Sequence, residues 1–279
     1  MRYSGFTDGI GELIDRGLCT YFPGPNSFTG EDCAEFHLHG SKATVRKFLD
    51  VLGSIPGFRM AEPGEFTRRA FLNGKLDLTE AEGLSDLIVA ETETQRKLAL
   101  VQAEGGLSKL YGGWRETIIR LRAMFDASIE FAEEDDVAER ALTSLSSDIL
   151  ALVDEIARHV AGSRAGEIIR EGFRVTILGA PNAGKSSLLN ALSRRDVAIV
   201  SDEAGTTRDI VEVRLDLGGH LVILADTAGI RETSGLVENL GIERALARAG
   251  VSDLILAVFD MSNPVAFDIG DLDVPVLKI

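Results

Sequence analysis

The spacing of apolar side chains divides the chain into stretches of different period. Residues 17–40 read as strand and turn. Within them Glu35, His37 and His39 alternate with Phe36 and Leu38. A period of two puts the three polar residues on one face of a strand and the apolar pair on the other. The breaker content of Phe22-Pro23-Gly24-Pro25-Asn26 predicts a loop, and Gly40-Ser41 ends the run. Residues 42–53 predict a helix with Val45, Phe48, Leu49 and Leu52 on one face. Residues 61–78 mix polar and apolar side chains densely. No proline occurs from Thr79 to about Ala165, where helix dominates, with Gly105-Gly106 and Gly112-Gly113 as the clearest breaks. Leu110, Trp114, Ile118, Leu121, Phe125 and Ile129 recur at helical spacings, as do Leu142, Leu145, Ile149, Leu152, Ile156 and Val160. Both runs predict amphipathic helices, most simply packed as a three- or four-helix bundle between flanking domains. At Phe173 the pattern switches to an apolar strand. Downstream, 220–226, 253–259 and 274–278 are strand-like, while 184–194 and 237–250 are helix-like. That alternation predicts an α/β domain with a mainly parallel sheet.

Composition narrows the class. A chain of 279 residues suggests two domains or three small ones, and 45% hydrophobic residues suffice for a buried core. No apolar run approaches the ~18–20 residues needed to cross a bilayer. The start, Met1-Arg2-Tyr3-Ser4-Gly5, has no apolar signal-peptide core, so a cytoplasmic location is expected. Cys19 and Cys33 form neither a metal spacing nor a disulfide framework. A net charge of −15 argues against broad non-specific nucleic-acid binding, which needs a basic surface, but leaves room for a local basic patch. The acidic run Glu133-Glu134-Asp135-Asp136 reads as a solvated helix-end loop rather than a metal site.

Gly179-Ala180-Pro181-Asn182-Ala183-Gly184-Lys185-Ser186 fits G-x-x-x-x-G-K-[ST] and lies between an expected strand and an expected helix. Loop amides and the helix N-terminus would cradle a β-phosphate. Lys185 would reach the β/γ-phosphates, and the Ser186 hydroxyl would coordinate magnesium. Asp202-Glu203-Ala204-Gly205-Thr206-Thr207-Arg208-Asp209 is a hydroxyl-bearing loop before the next strand. Asp226-Thr227-Ala228-Gly229 closes the strand Leu221–Ala225. Asp226 is placed to hold magnesium through water, and the Gly229 amide to meet a γ-phosphate. Contacts of this kind, lost on hydrolysis, make such loops switches.

These residues carry a resemblance. The C-terminal domain looks like the G domain of translation-factor-related GTPases, and the whole chain is similar to the MnmE/TrmE family of tRNA-modification GTPases. The strings behind it are Phe22-Pro-Gly-Pro-Asn-Ser-Phe-Thr-Gly-Glu-Asp32, Pro63-Gly-Glu-Phe-Thr67 with Ala70-Phe-Leu-Asn-Gly-Lys-Leu-Asp-Leu78, Pro181-Asn-Ala-Gly-Lys-Ser-Ser187, Ala204-Gly-Thr-Thr-Arg-Asp209 and Gly241-Ile-Glu-Arg-Ala245. The resemblance implies a multidomain α+β and α/β fold. A partial folate-binding and dimerisation domain (1–74) precedes a helical domain (75–170), a helical bundle, and a P-loop GTPase domain (171–279) that stops before the expected Asn-Lys-x-Asp base-reading motif. The opening of the folate domain and the family's C-terminal Cys-x-Gly-Lys segment are expected to be missing.

The resemblance also implies roles. Asn182, Ala183, Gly184, Lys185, Ser186 and Ser187, the segment Ser201, Asp202, Glu203, Ala204, Gly205, Thr206 and Thr207, and Asp226, Thr227, Ala228 and Gly229 would bind GTP or GDP. Ser186 and Thr207 would hold magnesium, and Asn182, Ser201, Glu203 and Thr206 potassium. In many small GTPases a glutamine follows Asp-x-x-Gly and orients the attacking water. Here that position is Ile230. Glu238 matches the family glutamate that orients water through a bridging water, and a potassium ion on Asn182 would take the place of an arginine finger, so the resemblance implies a potassium-activated GTPase. By the residues alone Asn182 suits a turn, Glu238 suits a helix N-terminus, and Arg208 suits a surface ion pair or a finger in cis. In the N-terminal domain Glu35, His37 and His39 have a metal reading beside that of a polar strand face. The resemblance implies instead a 5-formyl-tetrahydrofolate pocket, with Glu35 on the pterin ring and Lys75 at the acidic part. It further implies a homodimer through the N-terminal domain, a heterotetramer with the flavoprotein MnmG, and tRNA as substrate of a 5-carboxymethylaminomethyl modification of the wobble uridine. A ribosome-assembly or RNA-docking GTPase switch is the alternative, disfavoured by the Pro63–Leu78 strings and the helical middle.

Overall fold

The computed structural model describes residues 1–130, 135–180, 183–193, 198–199, 212–226, 249–261 and 273–279. The chain divides into two compact units, Met1–Glu82 and Gly83–Ile279.

The first unit is α+β. Strands β1 (Arg2–Thr7), β2 (Leu13–Phe22) and β3 (Cys33–His37) form an antiparallel sheet in that order. Helix α1 (Lys42–Gly53) follows, its first turn capped by Ser41, whose hydroxyl accepts from the Thr44 amide. The expected apolar face of this helix delivers Phe48, which meets Phe6 and Phe36 with ring centroids 5.4 and 5.1 Å apart. Helix α2 (Glu65–Leu72) then occupies part of the mixed segment 61–78. Between β2 and β3 the backbones approach closely at Gly17, where a Cβ would stand 1.9 Å from the His37 carbonyl oxygen. Strand β3 stops at His37, short of the alternation through His39. The reason is local, because the His39 amide and ring Nδ1 both bond the Asp15 carboxylate at 2.8 Å.

Helix α3 (Leu78–Val89) leads into the second unit, which opens with a helical part and ends in an α/β sheet. Helices α4 (Glu93–Ala103), α5 (Gly106–Glu130) and α6 (Asp135–Glu171) follow. α5 and α6 run antiparallel, since Trp114 donates to Glu155 at 2.9 Å while Tyr111 meets His159 at 3.3 Å. Among the described residues of the two predicted stripes only Leu121 and Leu145 are buried, whereas Ile118, Phe125 and Ile129 of α5 and Ile149 and Val160 of α6 are exposed. Of the two expected breaks, Gly105 (φ +81°) separates α4 from α5. Gly112-Gly113 breaks nothing. It lies inside α5, held by the packing of the adjacent Tyr111 and Trp114 rings against His159 of α6. Asp135 and Asp136 open α6, so this half of the acidic run is helix rather than loop.

The sheet comprises β4 (Phe173–Gly179), β5 (Glu212–Leu217), β6 (His220–Asp226), β7 (Leu254–Val258) and β8 (Val276–Lys278), in the order β5-β6-β4-β7-β8. Every pairing is parallel except β5 with β6, a hairpin turned by Gly218-Gly219. Strand β5 was not foreseen from the pattern. Period two on a doubly covered sheet sends Val175 and Ile177 to one core cluster and Leu178 to another. Helix α7 (Lys185–Ser193) covers the first cluster with Leu188, Leu189 and Leu192. The helix expected at 237–250 lies outside the described residues except for its last two positions.

Candidate functional site

The carboxyl end of β4 lies at the middle of the sheet. From it the chain leaves toward β5 and β6 on one side, then crosses to β7 and β8 on the other. Reversals of that kind place a ligand crevice at the carboxyl ends of parallel strands. Two features fit the loop after β4 to that place. A Cβ on Gly179 would stand 2.4 Å from the Val258 carbonyl oxygen, so glycine alone lets β4 end against β7. Gly184 has φ +99°, a left-handed conformation that turns the loop into α7, and its carbonyl accepts the first helical bond from Leu188 at 2.9 Å.

The chemistry follows from that turn. Lys185 is the first residue of α7 and only 9% exposed. Its Nζ donates to the carbonyls of Gly179 at 2.9 Å and Ala180 at 2.8 Å. A buried ammonium needs such partners, and here they lie on the loop that the sequence assigns to phosphate. Ala183 is half-buried and its amide donates to Ala180 at 3.2 Å. The side chains of Ser186 and Ser187 are exposed in the first turn of α7, where the helix dipole favours an anion. Asp226 ends β6 and pairs in parallel register with Ile177 of β4, which brings its backbone to the same sheet edge as Gly179. Asn182, Ser201 through Thr207, Thr227 through Gly229, Ile230 and Glu238 lie outside the described residues.

In the first unit Glu35 and Lys75 are not joined by a hydrogen bond or ion pair. Glu35 is exposed on β3, 3.9 Å from His37 Nε2, and opposes Thr20 of β2. The Thr20 hydroxyl is buried without a hydrogen-bond partner, which marks this strand pair as short of one polar group. Lys75 donates to the Pro25 carbonyl at 2.9 Å, and its side chain lies against Gly30. The Gly24 amide, then the Tyr21 hydroxyl, hold the Asp32 carboxyl below its ordinary value and fix the end of the Phe22–Asp32 loop. His39 is committed to Asp15, whose carboxyl it holds below the ordinary value first by its side-chain hydrogen bond and then by its amide. Glu35 and His37 are neighbours but His39 turns away to Asp15, so the three do not converge, and no cluster of three or more metal-ligating side chains occurs among the described residues. No helix among the described residues is long and apolar enough to cross a membrane.

The sequence pattern passed over the elbow between α3 and α4. Arg214 of β5 forms an ion pair there with Glu91, next to the Thr92 cap of α4. The signal that could have found the cap is Thr92-Glu93-Thr94-Gln95, a capping-box spacing.

Residues 78–272 match the family profile of the MnmE helical domain, and residues 1–75 match that of the GTP-binding protein TrmE N-terminus. Among curated proteins the chain is 60% identical to a tRNA modification GTPase MnmE of Chelativorans sp. over 91% of its length, and 57% identical to one of Brucella ovis over 96%. The chain spans 57% and 61% of the length of those two relatives. A solved structure of Era from Aquifex aeolicus bound to GDP.AlF4- is 32% identical over 38% of each chain, with a TM-score of 0.29, an overlap too small to bear on the fold.

Proposed function

This chain belongs to the MnmE/TrmE family, and from that premise we propose that its phosphate loop binds GTP and hydrolyses it in the service of tRNA modification. The supporting observation is the placement of Lys185, buried at the head of α7 with its ammonium on two loop carbonyls at the carboxyl edge of a parallel sheet. In the proposed complex Lys185 exchanges those carbonyls for the β/γ-phosphates, while Ala183, Gly184 and the first turn of α7 present amides to them. Ser186 and Thr207 are the proposed magnesium ligands, with Asp226 acting through water. The exposed Ser186 hydroxyl in the first turn suits that part. Asn182, Ser201, Glu203 and Thr206 are the proposed potassium ligands. Held by those residues, the two cations would supply positive charge against the charge developing on the β/γ-bridging oxygen. Glu238 orients the attacking water through a bridging water, a task for which Ile230 has no suitable group.

The division into 1–74, 75–170 and 171–279 belongs to the same proposal. So do a 5-formyl-tetrahydrofolate site at Glu35 and Lys75, a cytoplasmic location, and a partnership with the flavoprotein MnmG on the wobble uridine of tRNA. A homodimer through the N-terminal part is also proposed, and the mass of the chain in solution tests it.

GTP turnover measured in potassium and in sodium at equal ionic strength tests the mechanism, for the natural chain, Asn182→Ala and Glu238→Ala. A guanidinium finger is worth about 10³–10⁵ in rate, so a cation in its place predicts a large loss in sodium. Turnover in potassium is expected to collapse in Glu238→Ala and to become indifferent to the cation in Asn182→Ala. Equal rates in both salts would reject the potassium site, and a fully active Glu238→Ala would reject the water-orienting role.

A further inference from the structure

Within the second unit, the α3–α4 elbow is bonded to the β5–β6 hairpin. Thr92 caps α4 reciprocally: its hydroxyl accepts from the Gln95 amide at 3.4 Å, while Gln95 Oε1 accepts from the Thr92 and Glu91 amides at 3.0 and 2.9 Å. Such a cap leaves further first-turn amides needing acceptors. The Thr94 amide finds one outside the helix, donating to the Gly219 carbonyl in the hairpin turn at 3.3 Å. Gly219 has φ +88°, and a Cβ there would stand 3.1 Å from Thr94 Oγ1, so the turn and the helix meet with no side chain between them.

Further along the hairpin, Arg214 of β5 is ion-paired with Glu91. Glu91 Oε2 is buried with no hydrogen-bond partner, so half of this carboxylate relies on Arg214 for compensation. Behind the elbow, Gln95 Nε2 donates to the Arg170 carbonyl at 2.9 Å, and Arg170 pairs with Asp86 of α3 at 2.9 Å. A partly open pocket of about 310 Å³ lies beside these contacts, lined by Thr92, Thr94, Ile168, Phe173, His220 and Leu221. The elbow is thus held to the hairpin by a few directional bonds rather than by close packing alone.

The hairpin is attached at both ends to segments assigned to nucleotide. β5 begins at Glu212, directly after the stretch carrying Thr206 and Thr207, and β6 ends at Asp226. We propose that Glu91 is a positioning residue for the nucleotide site: through Arg214 it sets the β5–β6 hairpin, and that hairpin passes occupancy of the phosphate loop to the first turn of α4. The inference rests on the GTP-binding role proposed above.

Hydrogen exchange at the Thr94 amide reads the Thr94–Gly219 contact directly. It is measured on the whole 279-residue chain with and without a non-hydrolysable GTP analogue and magnesium, and calorimetry follows binding of the analogue in parallel. In the natural chain the analogue is expected to change exchange at Thr94 by about fivefold or more, the lower end of typical coupling between sites. Glu91→Gln is expected to bind the analogue and lose that response, and the reversed pair Glu91→Arg with Arg214→Glu to regain it. A purely structural role would alter exchange equally with and without nucleotide and leave the response in place, which would overturn the inference. So would a natural chain that binds the analogue with no change at Thr94. Should Glu91→Gln lose its helical signal, Arg214→Gln carries the same prediction with the cap of α4 intact. If calorimetry finds no binding to the natural chain, the GTP-binding role itself fails and this inference falls with it.

Discussion

A side chain at position 179 would meet backbone immediately, because a Cβ there stands 2.4 Å from the Val258 carbonyl oxygen. The neighbour is a strand in a buried sheet rather than a flexible tip, so relief requires β4 and β7 to separate. Gly179→Ala is therefore expected to lower the unfolding free energy by about 1–3 kcal/mol, the usual cost of overpacking, read from the urea midpoint. An unchanged midpoint would contradict the tight junction. The strand–turn–helix placement of Gly179, Gly184 and Lys185 was legible from sequence, because the G-x-x-x-x-G-K-[ST] spacing predicts it. Glu91 and Arg214 were not, because they meet across 123 positions and neither stands in a motif. The pairing exists only once the hairpin has folded against the elbow.

Elements were legible where one period ran long enough. Helices α5 and α6 and the apolar run of β4 are of that kind. Strand β5, with the sequence Glu212-Val-Arg-Leu-Asp-Leu217, alternates over only six residues, and its place at the sheet edge depends on pairing with β6. Gly112-Gly113 misled because glycine's helix penalty, about 1 kcal/mol each, is outweighed in α5 by side-chain packing against α6. The β2–β3 pair carries its own prediction. The unpartnered Thr20 hydroxyl opposite exposed Glu35 leaves polar groups at one strand pair, where the folate site is proposed. Removing a charged hydrogen-bond partner costs about 1.5–3 kcal/mol. Glu35→Ala is accordingly expected to weaken 5-formyl-tetrahydrofolate binding roughly tenfold or more by that measure in equilibrium titration. Unchanged affinity would remove Glu35 from the site.

At the scale of the molecule, an α+β unit precedes a unit in which helices lead into a mainly parallel sheet, and the family profiles cover both. The parallel sheet was foreseen in outline because alternating strands and helices admit few topologies. Its order, with β4 at the reversal, came only from the structure. The nucleotide-dependent proposals, from potassium dependence to the elbow at Glu91, require that the loop 179–187 receive a nucleotide. The direct measurement is calorimetric titration of magnesium and GTP into the natural chain and into Lys185→Ala. With a charged contact to each of two phosphates lost at about 1.5–3 kcal/mol apiece, the natural chain is expected to bind and Lys185→Ala to show no detectable heat of binding. Equal affinity in the two proteins would contradict the assignment of the site.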